Sequence, residues 1–454
     1  MAVVLKFGGT SVGTFDAVSR TMEIIASRLP EHPVVCVSAL SKVTDLLYAI
    51  ADAASCGDAE GLEARMYELR SRHLKLVCSL FSADPEGCDR ASSKVNEICD
   101  TLAAVVSSVT ALGDVPDRIR AVIISHGELL SSTIICLALN SRGIRTGFVD
   151  ARTMIVTDSE YMCGEPQFDI INERVPEVVG EAFARGTAFI SDGKAADGRS
   201  NEVVITQGFI AANRQGAGTV LGRGGSDWSA SIIASALDAS RVEIWTDVDG
   251  MRTTDPRVCP ETCRIPRISY EEAAQMARFG AKVLHPKTIA PAVARNIPVL
   301  VLNSSNPSCE GTAVVPEEAP DGPRGIAFKR NVYLVRFSPK AEGDFMWCLE
   351  ESRIEPDMVT SAGRQMMVTV DFSHNIGGFI RLVAGKTDIL LKTGYSQLTV
   401  IGRGLLSLVP KLEDAVPQLR KNFGKMLNDS NISYIVAADR LERIVREVHK
   451  YLFE

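Results

Sequence analysis

The amino-acid sequence predicts an α/β protein of more than one domain. Strand-like apolar runs alternate with helical stretches over residues 2–304, a pattern typical of helices packed on a mainly parallel sheet. Two glycine-rich turns, "KFGGTSVG" and "LGRGGSD", each stand where a strand gives way to a helix. The length of 454 residues exceeds what one hydrophobic core usually serves, so we expect about three domains.

The first elements form a βαβ unit. Residues 2–7 indicate a buried strand, and a helix is expected to begin at Thr14 or Asp16 with its apolar residues on one face. A second strand, "HPVVCVSAL", follows. Apolar residues, among them Leu62, Met66 and Leu69, recur at spacings of three and four over residues 59–109 among many charges, which predicts a helical hairpin.

The middle of the chain continues the alternation. The stretch "RAVIISHGELLSSTIICLALN" predicts a strand running into a helix, with Glu128 at the junction. "GTAFISDG" and "EVVITQGFIAA" indicate strands, and "TVLGRGGSDWSASIIASAL" predicts a strand, a turn and a helix. "RVEIWTDVDG", the helical residues 269–296 and the strand "IPVLVLNS" complete this part, so we assign residues 1–305 to one domain.

Residues 306–454 differ from the preceding part in composition and in the length of their predicted elements. Proline, glycine and acidic residues concentrate in "PEEAPDGPRG", so residues 306–325 are expected to be a linker. Residues 326–454 alternate short strands with helices, including a predicted helix "AVPQLRKNFGKMLN" and a last helix with one apolar stripe. Two small α+β modules, of a kind that is more often regulatory than catalytic, fit this segment.

Charge and composition exclude some functions. The net charge of −7, without a dense lysine or arginine run, argues against nucleic-acid binding. The N-terminus has no signal-peptide pattern and no apolar stretch is expected to span a membrane, so we expect a cytoplasmic protein. The 11 scattered cysteines fit a reduced compartment better than a disulfide framework.

Charged residues at the two glycine-rich turns are candidates for anion binding. Lys6 lies in an apolar strand just before the first turn, where its ammonium must either reach solvent or meet an anion. The second turn adds the guanidinium of Arg223, the hydroxyl of Ser226 and the carboxylate of Asp227. Each turn alone is weak evidence because such turns are common; together they favour a phosphate or carboxylate site.

Other polar residues leave alternatives open. Glu128 could bind a cationic group or be a solvent-exposed glutamate at a helix start, and "HGE" lacks the spacing of a two-histidine metal site. The loop "TDVDGMRTTDPR" could be a polar turn or a nucleotide site. Lys282 could be an ordinary helix-end residue or a second cation near phosphates.

Six motifs in order resemble an aspartate kinase of the amino acid kinase fold. They are "KFGGTSV", "SHGELLSS", "ITQGFI", "LGRGGSD", "IWTDVDGMRTTDPR" and "FGAKVLHP". They extend over about two-thirds of the chain, and the ending "YLFE" is similar to the lysine-sensitive monofunctional branch. The resemblance implies an open, mainly parallel αβα sandwich that uses ATP to phosphorylate the side-chain carboxylate of L-aspartate, the first step towards lysine (through diaminopimelate), threonine and methionine.

The resemblance implies roles at the phosphate. Lys6 would bridge the transferring phosphoryl group, and Asp227 would hold Lys6 and help to organise the Mg²⁺ that accompanies ATP; no direct metal ligand is assigned. The nucleophile needs no base, because an aspartate side chain is ionised at neutral pH with a pKa of about 3.9. The cradle of the phosphate would consist of Gly8, Gly9 and Ser11.

The resemblance also implies roles for the two substrates. Arg223 would bind the α-carboxylate of aspartate and Glu128 its α-ammonium. The rest of the aspartate pocket would come from Thr44, Phe209 and Ser226. The nucleotide would be bound by Thr246, Asp247, Arg257 and Lys282. Relatives often have an aromatic residue after "DVDG", where this chain has Met251 and Arg252.

For residues 326–454 the resemblance implies tandem ACT-like modules that form a homodimer and bind an amino-acid effector such as L-lysine. Asp357, Thr360 and Ser361 keep part of the effector pattern, whereas the usual helix start is replaced by "AEGDFMWCLEE". Two other hypotheses remain at this stage: a kinase of another amino acid on the same fold, and a non-catalytic amino-acid sensor.

Overall fold

The structure, a computed structural model, describes most of the chain. The described residues are 2–110, 113–184, 200–281, 284–317, 320–352, 354, 356–362, 365–371, 377–384, 386 and 389–454. Lys282 and the predicted strand "GTAFISDG" lie outside them.

The strands are numbered along the chain. The first eight are β1 Val3–Phe7, β2 Val34–Val37, β3 Thr146–Val149, β4 Val156–Thr157, β5 Val203–Gln207, β6 Ile210–Asn213, β7 Gly218–Val220 and β8 Arg241–Thr246. The others are β9 Arg267–Ser269, β10 Val299–Asn303, β11 Thr312–Val315, β12 Gly322–Phe337, β13 Met358–Ala362, β14 Gln365–Asp371, β15 Ile389–Arg403, β16 Gly424–Leu427 and β17 Asn431–Ala437.

The helices lie between these strands. They are α1 Phe15–Arg28, α2 Val43–Cys56, α3 Ala59–Leu80, α4 Pro85–Thr110, α5 Asp117–Ser141, α6 Phe168–Ala184, α7 Gly225–Leu237, α8 Tyr270–Arg278, α9 Pro286–Ala294, α10 Glu342–Glu351, α11 Gly377–Ala384, α12 Val409–Ala415 and α13 Leu441–Phe453.

The chain divides into two compact units that are interleaved in sequence. The first comprises Met1–Asp249 and Lys287–Pro316, and the second comprises Gly250–Pro286 and Glu317–Glu454. The division differs from the expected boundaries of 1–305, 306–325 and 326–454, because residues 250–286 join the C-terminal unit. The expected linker also contains β11 and the start of β12.

A mainly parallel sheet organises the first unit. Its strand order is β3-β5-β2-β1-β8-β10-β11; all neighbours are parallel except β10 and β11. A small sheet, β4-β6-β7, accompanies it. The central strands are buried along their length except at Lys6 of β1, as expected for a parallel sheet covered on both faces.

Helix α5 corrects one prediction. The stretch expected to be a strand followed by a helix is helical from Asp117 to Ser141, and its central residues are buried on every side. The helix is long and apolar enough to cross a membrane, which the sequence was not expected to contain, but 89% of its most apolar window is buried inside the protein. Such burial is that of a core helix.

An antiparallel sheet organises the second unit, in the order β13-β14-β12-β15-β17-β16. One apolar cluster packs α13 and α12 against β15 and β17, and another packs α10 and α11 against β12 and β14. The helix expected over "AVPQLRKNFGKMLN" is wrong: α12 ends at Ala415, and residues 424–427 form β16. Pro417 follows the end of α12 and cannot continue it.

Candidate active site

Lys6, Phe209 and Thr246 lie at or just after the carboxyl ends of neighbouring strands in the first unit. Parallel strands β5, β2, β1, β8 and β10 end at the same edge of the sheet, where ligands of open α/β sheets bind. Their last residues align in register: Phe7 with Val37 and Trp245, Val37 with Gln207, and Asn303 with Thr246.

Lys6 and Asp227 join the two glycine-rich turns. Lys6 is the penultimate residue of β1, and Asp227 lies in the first turn of α7. Lys6 Nζ is 2.7 Å from Asp227 Oδ1, and the side chains are 11% and 17% exposed. Nζ also lies 3.4 Å from where a Cβ on Gly8 would stand. An ammonium has three donors, so this pair leaves Lys6 able to bind a further anion beside Gly8.

The first glycine-rich turn is closed by backbone contacts. The amide of Gly8 donates to Trp245 O at 3.2 Å, and the amide of Ser41 donates to Gly9 O at 3.0 Å. A Cβ on Gly9 would stand 2.9 Å from Ala39 O, closer than side-chain carbons pack. Glycine at position 9 is therefore required by the close approach of the β2–α2 loop.

Ser11 is buried in the first glycine-rich turn, and its expected place in the phosphate cradle stays a prediction. Its side chain is buried, and its Oγ lies 2.8 Å from Ser304 Oγ. The Ser304 amide in turn donates to Thr246 O at 2.9 Å. The hydroxyl of Ser11 thus ties together the ends of β1, β8 and β10. Sequence reasoning missed Ser304, whose only signal is its position directly after β10.

The second glycine-rich turn exposes a cation. Gly222 and Gly224 have φ of 75° and 72°, values that glycine adopts without strain. Arg223 between them is exposed and makes no ion pair or hydrogen bond within the part of the chain that the structure describes. Its guanidinium is available for a carboxylate or a phosphate.

Phe209 and Ser226 each lie against a glycine beside this turn. Phe209 has a φ of 69°, unusual for a bulky residue, and its amide donates to Ser229 Oγ at 2.9 Å. A Cβ on Gly208 would be 2.7 Å from Ser226 Cβ, and one on Gly225 would be 2.8 Å from the Phe209 ring. Glycines therefore let the end of β5 contact the start of α7.

Glu128 is buried inside α5, which excludes the solvent-exposed interpretation. Its residue is 3% exposed, and Oε1 accepts a hydrogen bond from the Ala39 amide at 3.0 Å. Oε2 is buried and has no hydrogen-bond partner among the described residues. Burial raises the pKa of the Glu128 carboxyl to about 8. A carboxylate with an unused oxygen suits a cationic ligand.

Other predicted residues lie near these groups in the first unit or on its loops. Thr44 is half-buried in the first turn of α2. Thr246 ends β8, and its hydroxyl donates to Asp247 Oδ1 at 3.2 Å. Asp247 itself is exposed. Lys282, the other cation expected at the nucleotide, lies outside the described residues.

Arg257 belongs to the second unit. Its side chain is 79% exposed and its Nη2 is 2.7 Å from Asp255 Oδ2. The neighbouring guanidinium lowers the pKa of the Asp255 carboxyl. The expected role of Arg257 at the nucleotide therefore stays a prediction.

The residues expected to bind an effector lie in or next to strand β13 of the second unit. Asp357 is buried, and its Oδ1 is 2.6 Å from Lys329 Nζ, which also lies 3.3 Å from Asp371 Oδ2. Thr360 Oγ1 donates to Lys425 O at 2.8 Å. Ser361 follows in the same strand. Lys329 was not singled out by sequence reasoning.

No cluster of metal ligands lies among the described residues. In this part of the chain no three histidine, cysteine, aspartate or glutamate side chains group to hold a metal ion. His126, two residues before Glu128 in sequence, is buried with Nδ1 2.8 Å from Val122 O. Burial lowers the pKa of its imidazole.

Comparison with known proteins decides the family. The sequence profile described as "Amino acid kinase family" matches residues 1–303. The chain belongs to the amino acid kinase family. Lysine-sensitive aspartokinase 3 of Escherichia coli is similar to it, with 31% identity over 475 residues that cover 100% of this chain and 99% of that protein. The predicted fold class and the resemblance to lysine-sensitive aspartokinases are thus confirmed.

Solved structures of the same family support the fold. E. coli aspartokinase III in complex with aspartate and ADP (R-state) matches with a TM-score of 0.81 and 28% identity over 100% of both chains. E. coli aspartokinase III in complex with lysine and aspartate (T-state) matches with a TM-score of 0.80 and 27% identity, again over 100% of both. The kinase family therefore accounts for the whole chain and not only for residues 1–303.

Proposed function

We propose that this protein transfers the γ-phosphoryl group of ATP to the side-chain carboxylate of L-aspartate, giving 4-phospho-L-aspartate and ADP. This reaction is the first step in the biosynthesis of lysine, threonine and methionine. The observation that carries the proposal is the 2.7 Å pair of Lys6 and Asp227, which joins both glycine-rich turns at the carboxyl edge of the sheet. The full-length similarity to a lysine-sensitive aspartokinase supports the choice of substrate.

The chemistry needs positive charge more than a base. A carboxylate oxygen of aspartate attacks the γ-phosphorus, and the bond to the β,γ-bridging oxygen breaks with its electron pair leaving on ADP. Positioning and electrostatic stabilisation dominate such a transfer. The Lys6 ammonium supplies a charge for the transferring group, and Asp227 holds that ammonium beside Gly8.

Two groups suit the ends of the aspartate molecule. Arg223 offers a free guanidinium for the α-carboxylate, and Glu128 offers a buried oxygen without a partner for the α-ammonium. Thr44, Phe209 and Ser226 are assigned to the same pocket. Thr246, Asp247, Arg257 and Lys282 are assigned to the nucleotide, with Gly8, Gly9 and Ser11 shaping the phosphate cradle.

Magnesium fits this site as a companion of ATP. Mg²⁺ usually keeps several waters and is bound by one or two carboxylates together with substrate phosphates. Asp227, exposed enough at 17% to meet a hydrated ion, is the residue that would hold it. When bound, the ion would neutralise charge on the phosphates.

We further propose that residues 326–454 carry regulation and that residues 1–305 carry catalysis. A solved relative binds lysine as well as aspartate, so L-lysine is the proposed effector, acting at Asp357, Thr360 and Ser361. A homodimer formed by the regulatory segment and a cytoplasmic location complete the proposal.

A hydroxamate assay tests the proposed activity. Protein, ATP, Mg²⁺, L-aspartate and hydroxylamine should yield aspartyl hydroxamate, and Lys6→Met should lose at least about a thousandfold of the rate, as expected for a group that stabilises transition-state charge. Lys94→Met, which removes an exposed lysine paired with Glu97 on α4, is the matched control and should keep the rate. Product formation by Lys6→Met at the rate of the unsubstituted protein would refute the assignment.

The same assay tests substrate and effector. L-glutamate in place of L-aspartate should give little product, and added L-lysine should lower the rate. A rate that is indifferent to lysine over the millimolar range contradicts the regulatory part and leaves the catalytic part standing.

A further inference from the structure

The loop Ser38–Lys42 connects three parts of the proposed active site. Its Ser41 amide donates to Gly9 O at 3.0 Å in the first glycine-rich turn. Its Ala39 amide donates to Glu128 Oε1 at 3.0 Å. The loop then leads into α2, whose first turn contains Thr44. A displacement of this loop would therefore reach the phosphate cradle, Glu128 and Thr44.

The last residue of this loop is conformationally strained. Lys42, the residue before α2, has a φ of 63° and a ψ of 5°. Residues other than glycine rarely adopt this left-handed conformation, and they keep it only where surrounding contacts enforce it. The Lys42 side chain is exposed, so the enforcing contacts have to act on the backbone.

A side chain from α3 acts on that backbone. Arg72 Nη2 donates to Ser41 O at 2.8 Å, directly before Lys42. At the other end of the loop, Ser131 Oγ donates to Ser38 O at 2.8 Å. The Arg72 side chain is only 32% exposed, and its Nη1 lies 3.9 Å from Glu68 Oε1. Arg72 therefore lies closer to the Ser41 carbonyl than to the Glu68 carboxylate.

We propose that Arg72 is a positioning residue of this enzyme. By holding the Ser41 carbonyl, it keeps Lys42 left-handed, the Ser41 amide on Gly9 and the Ala39 amide on Glu128. The inference rests on the proposed function, because its kinetic consequence is the binding of aspartate. No part of Arg72 needs to contact the substrate for this effect.

Kinetics of four proteins test the proposal. Arg72→Gln should raise the KM for aspartate by about tenfold or more, since misplacing a binding loop by an ångström is costly, and Arg72→Lys should fall between Arg72→Gln and the unsubstituted protein. Arg70→Gln is the matched control: Arg70 lies on the same helix but donates to Asn96 and Asp100, and its loss should leave KM unchanged. Equal KM values for Arg72→Gln and the unsubstituted protein overturn the proposal.

A rescue tests the strain directly. Glycine adopts a positive φ without penalty, so Lys42→Gly combined with Arg72→Gln should recover most of the lost affinity for aspartate. Lys42→Gly alone should behave as the unsubstituted protein. A double variant as impaired as Arg72→Gln overturns the role of Arg72 in enforcing Lys42.

Hydrogen–deuterium exchange supplies a readout that does not depend on activity. Exchange in peptides covering Ser41 should be about tenfold faster in Arg72→Gln and unchanged in Arg70→Gln. If the unsubstituted protein makes no aspartyl hydroxamate, the proposed function fails, yet the exchange result still decides the positioning of the loop. Unchanged exchange in Arg72→Gln would overturn the proposal that Arg72 positions the loop.

Discussion

At the scale of single residues, Glu128 has the most consequential environment. Its carboxyl is buried, one oxygen is bound by the Ala39 amide, and burial raises its pKa to about 8. The raised pKa means that the group is protonated at neutral pH in the free protein. A bound ammonium would favour the ionised form, so the proposed role of Glu128 at the α-ammonium predicts that aspartate binding releases a proton.

This coupling predicts the pH dependence of substrate binding. The KM for aspartate should fall by up to about tenfold per pH unit as the pH rises towards 8, and then level off, because ionisation of Glu128 no longer costs free energy above its pKa. Glu128→Gln should raise KM and flatten this profile. Steady-state KM values at about pH 6, 7, 8 and 9 provide the measurement, and an unchanged slope in Glu128→Gln contradicts the prediction.

Raising the pH is expected to strengthen aspartate binding through Glu128, but it weakens the contribution of Glu128 to folding stability. Because the folded-state pKa of Glu128 lies above that of an exposed glutamate, the folded protein holds a proton that the unfolded chain has released. The contribution of Glu128 to stability is therefore full below about pH 4.5 and is lost as the pH rises to about 8.

Residues differ in how far their roles could be predicted from sequence. Lys6 and Asp227 could be singled out because a lysine in an apolar strand and an acid in a glycine-rich turn both demand a partner. The pairing of Ser11 with Ser304 could not be predicted, because it depends on how two segments 293 residues apart in sequence meet. Hydroxyls are too common in loops to predict such a pair.

At the scale of elements, α5 approaches the loop Ser38–Lys42 through a glycine. A Cβ on Gly127 would stand 2.8 Å from Ala39 Cβ and 3.2 Å from Leu47 Cδ1. The missing side chain lets the helix present Glu128 to the Ala39 amide. Glycine at position 127 is less favourable than alanine in a helix by about 1 kcal/mol, but it permits this contact.

Gly127→Ala should consequently damage the site although alanine favours helices. We expect a loss of stability of about 1–3 kcal/mol from overpacking and at least about a tenfold decrease of kcat/KM for aspartate. Gly180→Ala in α6 is the control, since a Cβ there meets nothing within 4 Å; it should be neutral or stabilise by about 0.5–1 kcal/mol. Urea unfolding and the hydroxamate assay measure both, and equal behaviour of the two variants contradicts the explanation.

The errors of element prediction have a common cause. The segment "RAVIISHGE" looks like a strand because it contains the continuous apolar run "AVII", and full burial removes the 3.6-residue periodicity by which a helix is recognised. The last part of "AVPQLRKNFGKMLN" forms β16 because pairing with β17 overrides its local preference. Elements with one buried face, such as α1 and α13, were predicted correctly.

At the scale of the whole molecule, residues 250–286 belong to the second unit, although the rest of that unit begins only at Glu317. Val258 joins an apolar cluster with Leu441 and Val445 of α13. Arg446 Nε donates to Val258 O at 2.7 Å, and Thr253 Oγ1 is 2.9 Å from His449 Nε2. These contacts explain why a boundary at residue 305 does not match the compact units.

Shortening the Val258 side chain should therefore destabilise helix α13. Val258→Ala should destabilise the second unit by about 1–3 kcal/mol and accelerate hydrogen exchange in α13. Exchange in β1 and β2 of the first unit should not change. Val248→Ala, at an exposed position of the first unit, is the control and should leave α13 protected. Faster exchange in β1 with a protected α13 would contradict the division into units.

Strand β1 has a consequence for how the chain is made. Val3 pairs with Arg241 of β8, and a ribosome adding about 5–20 residues per second needs on the order of ten seconds or more to supply that partner. During this time a strand that is apolar except for Lys6 has only one of its two neighbours. The nascent chain should therefore depend on chaperones that shield its N-terminal residues until β8 emerges.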